Sequence, residues 1–83
     1  MAPRFSGKVL LTTGGGSGLA AAVARRYSSE GGRVAVLDID AGRAQAVAAE
    51  LPGSIGLACD VASEDGVRDA VAKVQAEFGR IDA

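Results

Sequence analysis

The fold of this chain is decided by residues 12–20, which read Thr12-Thr13-Gly14-Gly15-Gly16-Ser17-Gly18-Leu19-Ala20. This glycine-rich stretch follows the apolar run Val9-Leu10-Leu11 and precedes an alanine-rich segment with helical periodicity. Glycine has no Cβ atom, so a ligand can approach its backbone closely. The first turn of a helix also offers unpaired N–H groups to a negative charge. The stretch therefore predicts a strand–loop–helix unit that holds a phosphate group.

The rest of the chain repeats the alternation of strand and helix. We predict strands over residues 8–12, 33–38 and 54–59, because each is an apolar run bounded by turn residues. A helical pattern follows each strand: it runs from Gly18 to about Glu30, then begins again after the capping residue Asp40 and after the capping residue Ser63. Glycines that follow each pattern are expected to end the helices.

Apolar residues recur on one face of each predicted helix, and we expect these faces to pack against the sheet. They are Leu19, Ala20, Val23, Ala24 and Tyr27 on the first helix, Ala44, Val47, Ala48 and Leu51 on the second, and Val67, Ala70, Val71, Val74 and Phe78 on the third. The arginines Arg25, Arg26 and Arg43 are expected to lie on solvated faces.

Alternating β and α units predict an α/β fold of three layers, a Rossmann-type parallel sheet with strand order 3-2-1. Residues 1–83 then form the N-terminal βαβαβα part of one dinucleotide-binding domain, truncated before a fourth strand whose start is residues 80–82. In this order the first strand lies at the edge of the sheet, and an apolar edge strand tends to pair with another chain. We therefore expect a fragment, or a chain that pairs with another. The alternative is a small domain whose edge is covered by its own N-terminal residues.

The composition excludes several classes of protein function. Apolar residues make up 48% of the chain and the net charge is −1, which excludes a disordered tail and gives no basic stripe for nucleic acid. No apolar run approaches the ~20 residues that span a bilayer, and no secretory signal is visible, so we expect a cytoplasmic protein. One cysteine and no histidine exclude a Cys/His metal site within these residues. Cys59 is expected to be a buried strand residue.

Acidic residues end the second and third predicted strands, at the same edge of the sheet as the glycine loop. Asp38 follows Gly18 by 20 residues. A carboxylate there accepts hydrogen bonds from an adenosine ribose and repels a 2′-phosphate. Because Ile39 follows, with no adjacent basic residue, the pattern favours NAD over NADP. The alternative is that Asp38 only caps the next loop or helix.

Asp60 occupies the corresponding position after the third strand. Its carboxylate is placed to accept a hydrogen bond from an adenine amino group, while Val61 packs against the ring. A capping role before the helix at Ser63 is equally compatible with the spacing. The loop lacks the Gly-Lys-Ser/Thr ending of a P-loop, since Leu19 follows Gly18, which argues against NTP hydrolysis.

On these residues the chain resembles the short-chain dehydrogenase/reductase family. The family motif Thr-Gly-x-x-x-Gly-x-Gly corresponds to residues 13–20, with Ala20 in place of the last glycine, and Asp38-Ile39, Asp60-Val61 and residues 78–82 match its later motifs. The resemblance implies that NAD is the cofactor and that Ser17 and Leu19 contact it through hydroxyl and backbone groups. The predicted cofactor-binding residues are Gly14, Gly16, Ser17, Gly18, Leu19, Asp38, Ile39, Asp60 and Val61.

The resemblance also implies hydride transfer between NAD and an alcohol or ketone, in a homo-oligomer that is often a tetramer. The family's Asn-Asn-Ala-Gly segment, serine and Tyr-x-x-x-Lys pair are not among these residues, and Tyr27 is followed by Gly31 at the lysine position. We therefore expect this chain to bind the adenosine–pyrophosphate portion without catalysing the reaction alone. Two alternatives stay open: a methyltransferase that uses S-adenosylmethionine, although Thr12-Thr13 stand where its acid is common, and a non-catalytic nucleotide-binding module.

Overall fold

The computed structural model describes residues 4–14 and 18–83. Its elements, in chain order, are β1 (Val9–Thr13), α1 (Gly18–Ser29), β2 (Arg33–Asp38), α2 (Ala41–Ala49), β3 (Ile55–Ala58) and α3 (Glu64–Phe78). The strands pair in parallel in the order β1-β2-β3, which is the predicted order 3-2-1. The α/β class is confirmed. None of the helices within the described ranges is long and apolar enough to cross a membrane.

The middle strand, β2, is covered on both faces. Val34 and Val36 pack with buried residues of α1 and α2 on one side of the sheet. Ala35 and Leu37 pack on the other side, with Val74 and Ala70 of α3 respectively. Successive strand side chains point to opposite faces, so an uninterrupted apolar run requires a layer of helices on each side. This arrangement is the predicted three-layer architecture.

The buried face of α1 differs from the predicted one. Ala21, Ala24 and Tyr27 are buried, whereas Leu19 is 81% exposed and Val23 is 48% exposed. The prediction that Leu19 and Val23 face the sheet was therefore wrong. Apolar residues occupy much of the circumference of this helix, so periodicity alone did not select the face.

Gly56 marks the place where α2 lies closest to the sheet. A Cβ atom on Gly56 would lie 2.5 Å from the carbonyl carbon and oxygen of Ala44 and 2.6 Å from the backbone nitrogen of Gln45. Backbone atoms cannot rotate away as a flexible side chain can. The glycine that lowers the strand preference of β3 is thus what permits the helix to pack there.

Residues at the C-terminal end lie along the outer edge of β1. The Ala83 N–H donates to the carbonyl of Val9 at 3.2 Å and the Leu11 N–H donates to the carbonyl of Ala83 at 2.9 Å, which is the pattern of a parallel bridge. The Asp82 carboxylate accepts from the Val9 N–H at 2.8 Å. The outer edge of β1 is therefore partly hydrogen-bonded, and its partners are residues near the C-terminal end of the chain. The Phe5 N–H, near the other end of the chain, instead donates to the carbonyl of Glu30 at 2.8 Å.

The helix caps agree with the predictions from the sequence. Asp40 caps α2 by accepting from the Arg43 N–H, and Ser63 caps α3 by accepting from the Gly66 N–H. Gly79 ends α3 in the left-handed conformation, with φ of 77°. The strands differ from prediction only at their ends, because β1 begins at Val9 and β3 is shorter than residues 54–59.

Replacing Gly56 tests the close approach of α2. We expect Gly56→Ala to lower the free energy of unfolding by about 1–3 kcal/mol, because the added methyl group overpacks a backbone contact. Urea unfolding followed by circular dichroism measures the change. Gly18→Ala is the control: apart from its chain neighbours and the backbone of its own helix, no described atom lies within 4 Å of its Cβ position, and we expect a change within about 0.5 kcal/mol. Equal effects of the two substitutions would contradict the packing argument.

The contact between Asp82 and β1 predicts a pH-dependent stability. The Arg80 guanidinium, and after it the Val9 N–H, hold the pKa of the Asp82 carboxyl below its ordinary value. A lowered pKa in the folded state stabilises the fold above the unfolded value of about 3.9. That stabilisation is lost as the pH falls through the lower folded pKa.

We therefore expect Asp82→Asn to be less stable than the unmodified chain at pH 7, and the difference to shrink as the pH falls below about 4. Urea unfolding across this pH range measures it. The exposed Asp69 of α3 supplies the control, and we expect Asp69→Asn to change the free energy of unfolding at pH 7 by no more than about 0.5 kcal/mol. A difference for Asp82→Asn that stays constant down to pH 2 would rule out the carboxylate as its source.

Candidate functional site

The C-terminal ends of the three strands meet at one edge of the sheet. The β1–β2 register pairs Thr13 with Leu37, so Gly14 and Asp38 follow side by side. The β2–β3 register pairs Asp38 with Ala58. The Cys59 N–H continues this ladder by donating to the carbonyl of Asp38 at 2.8 Å. The predicted convergence of the glycine loop with the two acidic positions thus follows from parallel pairing.

A cleft of about 410 Å³ opens at this edge. Residues from all three strand ends and from α2 line it: Gly14, Asp38, Ile39, Arg43, Cys59, Asp60 and Val61. Ile39 is 70% exposed and Val61 is 62% exposed, which is unusual for large apolar side chains. The cleft therefore combines carboxylates with two exposed apolar side chains, a composition that suits a ring system bearing hydroxyl groups.

The start of the glycine loop has a conformation that requires glycine. Gly14 has φ of 62°, in the left-handed region that favours glycine. The positive φ of Gly14 therefore explains this glycine. The predicted residues Gly16 and Ser17 lie outside the described residues. Leu19 lies in the first turn of α1 with its side chain exposed, outside the lining of the cleft.

Asp38 is the buried polar residue of the site. It is 6% exposed, and its Oδ1 atom accepts from the Asp40 N–H at 2.9 Å. The same oxygen lies 3.4 Å from Nη2 of Arg43. The carboxylate thus holds the turn that leads into α2, which is the capping alternative considered from sequence. The same contacts fix its orientation at the wall of the cleft.

Arg43 lies on a solvated helix face, as predicted, and it also contacts two carboxylates. Its side chain is 61% exposed, yet its guanidinium reaches Asp38 and also lies 3.8 Å from Oδ2 of Asp40. The cap explains this position: Asp40 accepts from the Arg43 N–H at 3.1 Å, which places Arg43 in the first turn of α2. Helical side chains lean toward the N-terminus, so this one extends back over the end of β2. The sequence feature that could have predicted this contact is an arginine, Arg43, three residues after the capping aspartate Asp40.

Asp60 and Cys59 follow β3 on the other side of the cleft. Asp60 is exposed, and its Oδ1 accepts from the Ala62 N–H at 2.9 Å, which fixes the turn before α3. The cap of α3 itself is Ser63, so Asp60 does not take the helix-capping role. Cys59 is buried, as expected, and its Sγ donates to the carbonyl of Gly66 at 3.8 Å.

Tyr27, the single tyrosine of the chain, lies at the opposite end of the sheet from the cleft. Its ring stacks on Phe5 with centroids 4.2 Å apart, and its carbonyl accepts from the N–H of Gly32 just before β2. Burial, followed by the charge of Asp82, raises the pKa of the Tyr27 phenol. A protonated core phenol in this place packs the helix end and does not reach a ligand in the cleft.

Comparison with known proteins identifies close relatives. Residues 8–83 match the family model described as short chain dehydrogenase. The chain is similar to L-fucose dehydrogenase of Bos taurus, with 43% identity over 99% of this chain and 30% of that protein. It is also similar to D-threitol dehydrogenase of Mycolicibacterium smegmatis, with 48% identity over 95% of this chain and 32% of that protein.

A solved structure shares the fold as well as the sequence. The 3-ketoacyl-(acyl-carrier-protein) reductase from Brucella melitensis, crystallised in complex with NADH, superposes with a TM-score of 0.91 and 35% identity. The superposition covers 95% of this chain and 33% of that one, so the chain spans about a third of the length of such relatives. The motifs at residues 13–20, 38–39 and 60–61 all fall within the matched segment. This chain belongs to the short-chain dehydrogenase family.

Proposed function

We propose that this chain is the NAD-binding part of an oxidoreductase that transfers hydride between NAD(H) and an alcohol or ketone. The observation that carries the proposal is the buried carboxylate of Asp38, set at the end of β2 beside Gly14 and facing a cleft. Family membership supports the same reaction class, as do the relatives named as dehydrogenases and the similar reductase crystallised with NADH.

The geometry suggests how the adenosine half of the cofactor binds. The ribose hydroxyls would donate to Asp38, and the adenine ring would lie between Ile39 and Val61, whose exposed side chains flank the cleft. Asp60 would accept from the adenine amino group. The pyrophosphate would bind at the loop from Gly14 to the start of α1, where the helix dipole and backbone N–H groups favour an anion.

The choice of NAD over NADP rests on charge. A carboxylate that is 6% exposed cannot swing into solvent to make room for a phosphate. A 2′-phosphate next to Asp38 would place two negative groups together in a partly desolvated site, which costs free energy. We therefore propose NAD as the preferred cofactor.

The cofactor supplies the hydride chemistry when it is bound. The residues of this chain would hold and orient the adenosine end, and so position the nicotinamide for a substrate. In this proposal residues 1–83 form the N-terminal part of one dinucleotide-binding domain, the acid–base residues lie elsewhere in the protein, and the protein acts as a homo-oligomer on a small alcohol or ketone.

Ligand binding distinguishes this function from the alternatives. We expect calorimetric titration of the intact protein to detect NADH and to detect no S-adenosylmethionine. Oxidation of added alcohols, followed by NADH absorbance, then separates an oxidoreductase from a nucleotide-binding module. Binding of S-adenosylmethionine without NADH would overturn the proposal in favour of a methyltransferase.

Asp38→Ala tests the role in ribose binding. Hydrogen bonds to a charged group contribute about 1.5–3 kcal/mol, so we expect the Kd for NADH to rise about tenfold or more and the Kd for NADPH to fall. Titration calorimetry gives both values. Asp65→Ala is the matched control, because the Asp65 side chain is 91% exposed on α3, away from the cleft. An unchanged Kd for NADH in Asp38→Ala would show that Asp38 does not bind the ribose.

A further inference from the structure

A second cavity, of about 480 Å³, lies beside α1 and shares no lining residue with the cleft. Its lining includes the stacked rings of Phe5 and Tyr27 and the side chains of Ala22 and Val23. Val23 is 48% exposed, which is high for a large apolar side chain next to two aromatic rings. The helix α1 therefore carries an apolar surface that the described residues leave partly open.

This surface lies on the flank of α1 that faces away from α2. Arg25 lies on the other flank, because its guanidinium pairs at 3.1 Å with Glu50, the residue that ends α2. At about 100° per residue, Val23 lies about 160° around the helix axis from Arg25. Since α2 packs against β2 and β3 whereas α1 packs against β1 and β2, the flank with Val23 faces the outer edge of β1.

The outer edge of β1 is the side on which the sheet can be extended. Ala83 exchanges hydrogen bonds with Val9 and Leu11 in the pattern of a parallel strand. Parallel sheets are covered by helices on both faces, and helices packed side by side have axes about 8–10 Å apart. A sheet extended beyond β1 therefore needs a helix next to α1, on the flank that carries Val23.

We propose that the α1 flank surface, which consists of Phe5, Ala22, Val23 and Tyr27, binds an amphipathic helix from another part of the intact protein. The inference rests on the proposed function, in which residues 1–83 are one part of a larger domain. The relatives that share this fold are about three times as long as this chain. The bound helix would bury its apolar side chains against α1 and the Phe5 ring.

The charges around the cavity favour an apolar partner. Arg26 and Glu30 line the cavity, and they pair with each other at 3.3 Å. The Arg4 guanidinium lies 5.1 Å from the centroid of the Phe5 ring, in a cation–π contact. Apolar side chains on the partner would remove Val23 and Phe5 from water, which is favourable. A partner charge placed against the same side chains would be desolvated without compensation.

Val23→Asp in the intact protein tests whether this surface is covered. We expect the unfolding temperature to fall by about 5 °C or more, because the new carboxylate would be buried without a partner. Differential scanning calorimetry measures the shift. Ala46→Asp, at an exposed position of α2, is the matched control and should shift the temperature by no more than about 2 °C. If Val23→Asp does not fold, Val23→Thr and Ala46→Thr carry the same comparison. Equal shifts at the two positions would overturn the inference.

Photo-crosslinking identifies the occupant of the surface. A diazirine analogue of leucine, close to valine in size, is placed at position 23 of the intact protein, which is then illuminated and mapped by mass spectrometry. We expect a cross-link within one polypeptide, from position 23 to a helical segment outside residues 1–83. The same analogue at position 46 should give no such cross-link. A cross-link between two copies of the protein, or none at all, would overturn the inference.

Titration of NADH into the same intact protein separates this inference from the proposed function. If the cross-link forms in a protein that binds no NADH, the proposed function fails and the docking surface stands. If NADH binds but no cross-link forms within the polypeptide, the dinucleotide site stands and the inference about the α1 flank surface is wrong.

Discussion

The parallel pairing of β2 with a strand on each side is the constraint on which the rest of the structure depends. Its hydrogen bonds are satisfied by β1 and β3, and its side chains are buried by α1 and α2 on one face and α3 on the other. Because all three strands run in the same direction, their C-terminal ends meet at one edge. The cleft exists because the chain must leave the sheet three times at that edge.

Burial at the end of β2 holds the Asp38 carboxylate in one position and orientation. The strand carries the carboxylate to a position that is 6% exposed, where the Asp40 N–H and the Arg43 guanidinium hold it in place. A fixed negative group at the wall of a cleft can distinguish a ribose hydroxyl from a phosphate. The same contacts fold the start of α2, so the local structure and the proposed recognition use the same atoms and cannot be changed independently.

The sequence predicted the element order, the strand order, the caps at Asp40 and Ser63, and the meeting of Gly14 with the acidic residues. These features depend on short-range patterns and on the geometry common to parallel sheets. The sequence was wrong about the buried face of α1, because alanines and apolar side chains surround that helix and periodicity alone cannot rank its faces. The sequence did not predict the contact between Arg43 and Asp38, because that contact depends on how α2 is oriented where it leaves the end of β2.

The sequence by itself determined the fold class and the meeting of the glycine loop with two acidic residues, because glycine conformation, capping side chains and apolar runs act over a few residues. Only the tertiary structure decided that Arg43 shares the cleft with them. Gly56 fixes how closely α2 approaches the sheet, and the Asp40 cap fixes where that helix starts. Together they bring Arg43 to Asp38. A side chain on a neighbouring element acquires its partner only when packing sets the distance between the two elements.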